Sequence, residues 1–219
     1  MGRRVFFPKR PIWVPTFLVL NTLVFGAWLL QSFSDIPHFT PPHFLEDNFL
    51  VSANAVLEGR WWTLLTANFS HNLGIHFLFN MIVLMNFGPI IESILGRARF
   101  FVFYMVAGTC GSLGHVAVSL FVLRDPSIAA LGASGALAGV ILFFSLAFPR
   151  ERLYIFGLIP IPAILGAIAF VGFDVWGLIA QSHGGGLPIG HGAHLGGAAA
   201  GLVYFFIERK RRQRIYNPY

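Results

Sequence analysis

Apolar residues run along this chain in long blocks separated by short polar or basic segments, rather than alternating with polar positions. An uncharged apolar block of about 18 or more residues reads as a membrane-crossing helix, because about 20 helical residues traverse roughly 30 Å of hydrocarbon. The pattern predicts six spans, at about Trp13–Gln31, Ile75–Leu95, Phe100–Leu123, Ser134–Phe148, Leu153–Phe173 and His194–Ile207. The fourth and sixth are short and rich in Gly and Ala. Such spans suit helices that begin below the membrane surface, inside a protein-lined cavity, since irregular backbone is not tolerated against lipid. The stretch from Ser32 to Gly74 holds most of the acidic and histidine residues, yet also Phe44, Phe49, Leu50, Trp61 and Trp62. It reads as a partly interfacial first loop, with the two tryptophans near the headgroups. The expected fold class is therefore an all-α membrane protein: a six-transmembrane-helix bundle over residues 13–207 with a large, partly embedded first loop. Basic segments, 1–12 and 208–219, flank it.

Composition supports the membrane reading. The chain is 56% hydrophobic and 11% charged, whereas a soluble domain carries about 25% charged residues. The net charge of +6 does not point to nucleic acid, because the basic residues sit in short clusters beside apolar runs. Their expected partner is the lipid bilayer, with the densest cluster, Arg209 to Arg214, as an anchor favouring anionic headgroups. The same residues predict orientation. Arg3, Arg4, Lys9, Arg10, Arg97, Arg99, Arg150, Arg152, Arg209, Lys210, Arg211, Arg212 and Arg214 all fall on one side if the spans alternate. Only Arg60 and Arg124 fall on the other, so both termini are expected in the cytoplasm, or in the matrix of a mitochondrion. Cys110 is the single cysteine, which excludes an intrachain disulfide and suggests no cysteine metal site. His38, His43, His71 and His76 match no compact ligand spacing. No metal and no cofactor is expected.

Polar groups inside spans are costly and are functional candidates by default. In the predicted topology the second, fourth and sixth spans all begin at the outer face. Near those starts lie His76 and Asn80, then Ser134, then His194. A serine beside a histidine makes a nucleophile and its general base. His76 and Asn80, four residues apart, share a helix face and can stabilise one oxyanion together. Gly135 and Gly139 on the fourth span, and Ala193, Gly197 and Gly201 on the sixth, offer small faces through which two helices approach backbone to backbone. Each signal also has a plain structural reading. Gly-x-Ser-Gly is common in membrane-helix contacts, a histidine at a helix start is often a cap, and His76 with Asn80 makes an ordinary hydrogen-bonded pair. Their coincidence at one depth is what favours chemistry.

The motifs resemble those of the rhomboid family of intramembrane serine proteases. His71-Asn72-Leu73-Gly74-Ile75-His76-Phe77-Leu78-Phe79-Asn80 resembles the family's H-x-x-x-x-H-x-x-x-N element, and Gly132-Ala133-Ser134-Gly135 its G-x-S-G nucleophile motif. Ala193-His194-Leu195-Gly196-Gly197-Ala198-Ala199-Ala200-Gly201 is similar to its A-H-x-x-G-x-x-x-G helix, and the segment Gly88 to Gly96 to its glycine-flanked glutamate. The resemblance spans roughly Trp13 to Ile207. It implies a Ser134–His194 dyad without a catalytic acid, oxyanion stabilisation by Asn80, His76 and the Ser134 N–H, and a functional monomer. It also implies membrane-protein substrates whose spanning segments unwind near small or helix-breaking residues. Phe79 matches a position near the substrate entrance, and Phe170, Phe173 and Trp176 would form a lateral gate. Two positions depart from the pattern. Trp62-Thr63 stands where many relatives have Trp-Arg, with Arg60 as a substitute anchor, and Ala138 stands where relatives often place a tyrosine under the histidine.

Other assignments compete. His191, one turn before His194, is an alternative base, and His71 is expected to hydrogen-bond behind the site. Asp174 invites a triad, but as an acid at the end of the predicted fifth span it is read as a loop or cap residue. A rhomboid-like client-binding protein would be expected to lose the serine or histidine, and both are present. A small-solute transporter should carry an internal repeat, and none is evident. The predicted function is an intramembrane serine endopeptidase in a bacterial plasma membrane or, alternatively, a mitochondrial inner membrane.

Overall fold

The computed structural model describes residues 10–32, 43–155 and 158–216, without the side chains of 155 and 212–216. Arg3, Arg4, Lys9 and His38 lie outside the described residues, as do the side chains of Arg212 and Arg214.

The long helices are α1 (Trp13–Ser32), α5 (Gly74–Leu95), α6 (Arg97–Val118), α7 (Ser134–Ala147), α8 (Ala163–Ser182) and α9 (His191–Tyr216). Short helices α2 (Phe44–Phe49), α3 (Ala53–Leu57) and α4 (Thr63–Thr66) and a 3-10 turn, Ala67–Phe69, build the first loop. Among the described residues, α1, α5, α6 with its π-helical extension to Leu123, and α8 are long and apolar enough to cross a membrane. Helix α7 is shorter, and α9 is apolar only before its charged end, so four of the six long helices meet the length and apolarity of a crossing among the described residues. Side chains such as Leu23, Phe121, Ile168 and Val203 are exposed on the flanks of these helices, as an apolar solvent allows.

Helices α6, α7 and α9 form the centre, where small residues let backbones touch. A Cβ on Gly197 would collide with the Gly135 carbonyl, and one on Gly201 with the Gly139 carbonyl. Gly111 of α6 faces Gly135 and the Ala193 carbonyl in the same contact, where an added Cβ would lie 3.0 Å from each. The small-residue faces anticipated on the fourth and sixth spans therefore do meet. Towards the other end, aromatic packing replaces glycine: Phe103, Phe143 and Tyr204 join the three helices, with Phe103 and Tyr204 ring centroids 4.8 Å apart.

The fifth span corrects the sequence reading. Leu153–Phe173 was expected to be helical, but Arg152–Ile155 (β1) and Ile159–Pro162 (β2) form an antiparallel hairpin, and α8 starts at Ala163. Pro160 and Pro162 both lack the N–H that a helix interior requires, and two such residues this close favour extended backbone where the lone Pro89 of α5 is tolerated; Pro162 is the cap of α8. The span accordingly runs to Ser182, about half a bilayer crossing further along the chain than expected. Asp174 thereby moves from a helix end into the body of the span.

Candidate active site

The serine is positioned by the loop that precedes it. Val51 and Ala130 exchange both backbone hydrogen bonds, at 2.9 and 2.8 Å, and the Gly132 N–H donates to the Ala67 carbonyl at 2.9 Å. The first loop thus clamps the chain just before α7. Gly132 has φ +121°, a conformation that side chains disfavour. It turns the chain so that Ser134 opens α7, where first-turn N–H groups lack helical acceptors. The Ala133 N–H points to His71 Nε2 at 3.4 Å, consistent with the hydrogen-bonding role expected of His71. Burial pushes the His71 imidazole down to about 3, with nearby His76 adding to the effect. His71 is thus neutral and accepts through Nε2.

His194 lies on the first turn of α9, anchored where the Ala193 and His194 N–H groups donate to the Gly190 carbonyl. Its Nε2 is 3.0 Å from Ser134 Oγ, within hydrogen-bond range. The two residues line a cavity of about 1260 Å³ that also reaches His76, His115 and His191. The expected pair is therefore brought together, and the contact of α7 with α9 is what brings it.

His76 of α5 lies across the same turn, packed on Gly132. Asn80 is buried one turn below it, and its Nδ2 donates to the His76 carbonyl at 2.8 Å. One amide hydrogen of Asn80 is spent within its own helix, which leaves the other. His76 lines the cavity, whereas the buried Asn80 is not among its lining residues.

Asp174 requires a second correction. It is not a loop or cap residue: it is 1% exposed, within α8, and its Oδ1 lies 2.9 Å from His194 Nδ1. The same oxygen lies 2.7 Å from Nδ1 of His191, which is also buried. His191 is therefore directed at the acid and not at Ser134. Ala138 is buried in α7, and support for His194 comes instead from α8, through Asp174 and the Phe170 ring at 5.5 Å. The sequence reading missed this because it ended the fifth span too early.

The four residues expected to form a gate divide into two groups. Phe170 and Phe173 lie against His194 and His191, the latter at 5.7 Å edge to face. Phe79, Phe173 and Trp176 are exposed, as an apolar surface facing lipid would be, so Phe173 belongs to both groups. Arg60 anchors the first loop as anticipated, pairing with Asp47 and Glu58 at 2.6 Å each, while the Trp62 indole donates to Asn48.

Comparison with known proteins adds an independent line. A sequence model of the rhomboid domain matches residues 58–211. The chain is 31% identical over 207 residues to "Rhomboid protein 1, mitochondrial" of Saccharomyces cerevisiae, covering 90% of this chain and 55% of that protein. It is 33% identical over 210 residues to "RHOMBOID-like protein 12, mitochondrial" of Arabidopsis thaliana, with 90% and 58% covered. It is 30% identical over 199 residues to "Rhomboid protease GluP" of Bacillus subtilis, with 90% and 36% covered. The chain thus spans little more than half the length of the first two relatives and about a third of the last.

Proposed function

The chain belongs to the rhomboid family, and from that premise we propose that it is an intramembrane serine endopeptidase acting on membrane proteins. The carrying observation is the 3.0 Å contact between Ser134 Oγ and His194 Nε2 inside a cavity of the helical bundle. In this reading His194 takes the hydroxyl proton as Ser134 Oγ attacks a peptide carbonyl, then returns it to the leaving amine. The developing oxyanion is met by the Ser134 N–H, by His76 and by the remaining amide hydrogen of Asn80. The acyl-enzyme is then hydrolysed by water reaching the cavity.

The substrate must present an extended backbone, because an intact helix hides its carbonyls in its own hydrogen bonds. Spanning segments with small or helix-breaking residues meet that need. Phe79, Phe173 and Trp176 are the proposed entrance, with Phe170 behind it, against His194. Residues 13–207 act as the protease domain, functional as a monomer, with the basic tails and both termini on the cytoplasmic or matrix side. The membrane is a bacterial plasma membrane or a mitochondrial inner membrane; the relatives above include one from a bacterium and two whose names carry the word mitochondrial.

The test uses the purified full chain in detergent with a fluorescent fluorophosphonate. The wild type should label, and Ser134→Ala and His194→Ala should not. Equal labelling of all three would exclude the pair. Cleavage of a model single-span substrate, lost in the same variants, separates proteolysis from mere serine reactivity.

A further inference from the structure

Resting on the Ser134–His194 reading, we infer that Asp174 and His191 are positioning residues that extend the pair into a four-member network, Ser134–His194–Asp174–His191. The contacts run in series through three helices: 3.0 Å from α7 to α9, 2.9 Å from α9 to α8, and 2.7 Å from α8 back to α9.

Tautomer logic gives this chain its direction. An ionised carboxylate has only acceptor sites, so the two Nδ1 atoms facing Asp174 Oδ1 must each carry a proton. In neutral His194 this leaves Nε2 as the lone pair, and Nε2 is the atom that faces Ser134 Oγ. Asp174 therefore holds the imidazole in the tautomer that a base needs, and stabilises the imidazolium formed on attack. His191 acts one step further back. Its hydrogen bond fixes the carboxylate, and its Nε2 is buried without a partner, as suits a bare lone pair better than an N–H in an apolar site.

The arrangement is costly as a structural device. Asp174 Oδ2 is also buried without a hydrogen-bond partner, so a carboxylate sits inside a membrane protein on two hydrogen bonds to one oxygen. Polar burial of that kind in a span is retained for function rather than for stability. The backbone is also shaped for it: a Cβ on Gly177, three residues after Asp174, would collide with the His191 ring. The ionisable groups facing His194 are Asp174 on α8, His191 on its own helix and His76 on α5, while α6 contributes His115 to the same cavity. Among these described residues Asp174 is the anion. The imidazolium has one counter-charge, and it is this one.

The experiment measures fluorophosphonate inactivation of the full chain in detergent, separating the maximal rate from half-saturation. Asp174→Asn should lower the maximal rate by roughly 100-fold or more, with half-saturation little changed. An amide there either flips and donates to Nδ1, inverting the tautomer, or leaves its NH₂ buried without an acceptor. His191→Ala should lower the rate roughly tenfold, the size expected for one charge-assisted hydrogen bond, and should add nothing in the Asp174→Asn background. A purely structural loss would persist in that background. Wild-type rates in Asp174→Asn, alongside silent Ser134→Ala and His194→Ala, would overturn the network while leaving the pair intact. Labelling of Ser134→Ala would instead overturn the underlying reading. Because the Asp174 variants can fail to fold, nitrogen NMR of the histidine-labelled wild type is the second measurement. Nδ1–H tautomers at His194 and His191 support the network, and an Nε2–H tautomer at neutral His194 overturns it.

Discussion

The His76 imidazole rests on Gly132 so closely that a Cβ at Gly132 would fall 2.5 Å from its Cε1. The turn that presents Ser134 and the side chain assigned to the oxyanion therefore share one piece of space. Gly132→Ala places a methyl there and also a side chain at φ +121°, where alanine is strained. The expected outcome is loss of at least about 90% of fluorophosphonate labelling, with a fall of roughly 1–3 kcal/mol in stability. Labelling and thermal unfolding in detergent check both.

Gly197 decides how near α9 comes to α7. Its missing side chain would collide with the Gly135 carbonyl, one residue after Ser134. Gly197→Ala should push the helices apart and destabilise the fold by roughly 1–3 kcal/mol, the usual cost of overpacking. Because the Ser134–His194 contact sits at the top of this seam, activity should fall more steeply than the folded fraction. Comparing labelling per folded molecule with the wild type tests this.

Glu92 is buried in α5 and receives three backbone N–H groups from the start of α1: Ile12 at 2.7 Å, Trp13 at 3.1 Å and Val14 at 3.1 Å. It satisfies first-turn donors that a helix cannot satisfy itself. Glu92→Gln turns one acceptor into a donor facing donors. It should cost about 2–4 kcal/mol, seen as a lower unfolding temperature, while the labelling rate of the folded protein stays near wild type.

His71 predicts a pH dependence of stability. Its folded value of about 3 lies below the usual 6.5, so the folded state binds fewer protons than the unfolded state between those limits. Its stabilising contribution is present above pH 6.5 and is lost as pH falls towards 3. Unfolding temperatures measured across pH 4–7 should drop less steeply in His71→Asn than in the wild type. Parallel curves would exclude the assignment.

Much of this architecture is legible in the residues themselves. The blocks at Trp13, Ile75 and Phe100 correspond to α1, α5 and α6 within a few positions, because apolar run length and crossing length are the same quantity. Gly132, Ser134, His76 and His194 were identifiable because they fall at one depth on three spans and within motifs that resemble those of the rhomboid family, although each alone has a plain structural reading. The fifth span was misplaced because hydropathy is blind to the missing N–H of Pro160 and Pro162. Those residues turn an apolar run into a hairpin, and the register of α8 follows from that.

The sequence alone determined that the chain inserts in a bilayer and that a serine and a histidine start two small-faced helices. Both follow from local properties: hydrophobic length, charge placement and side-chain size. Only the tertiary structure decided what stands behind His194. Asp174 lies 20 residues from it along the chain, on another helix, with no fixed spacing that a motif could record. Its partnership depends on where α8 begins, on the close approach of α9 to α7, and on the space that Gly177 leaves for His191. Such a contact is set by how helices pack against one another, and no single segment contains it.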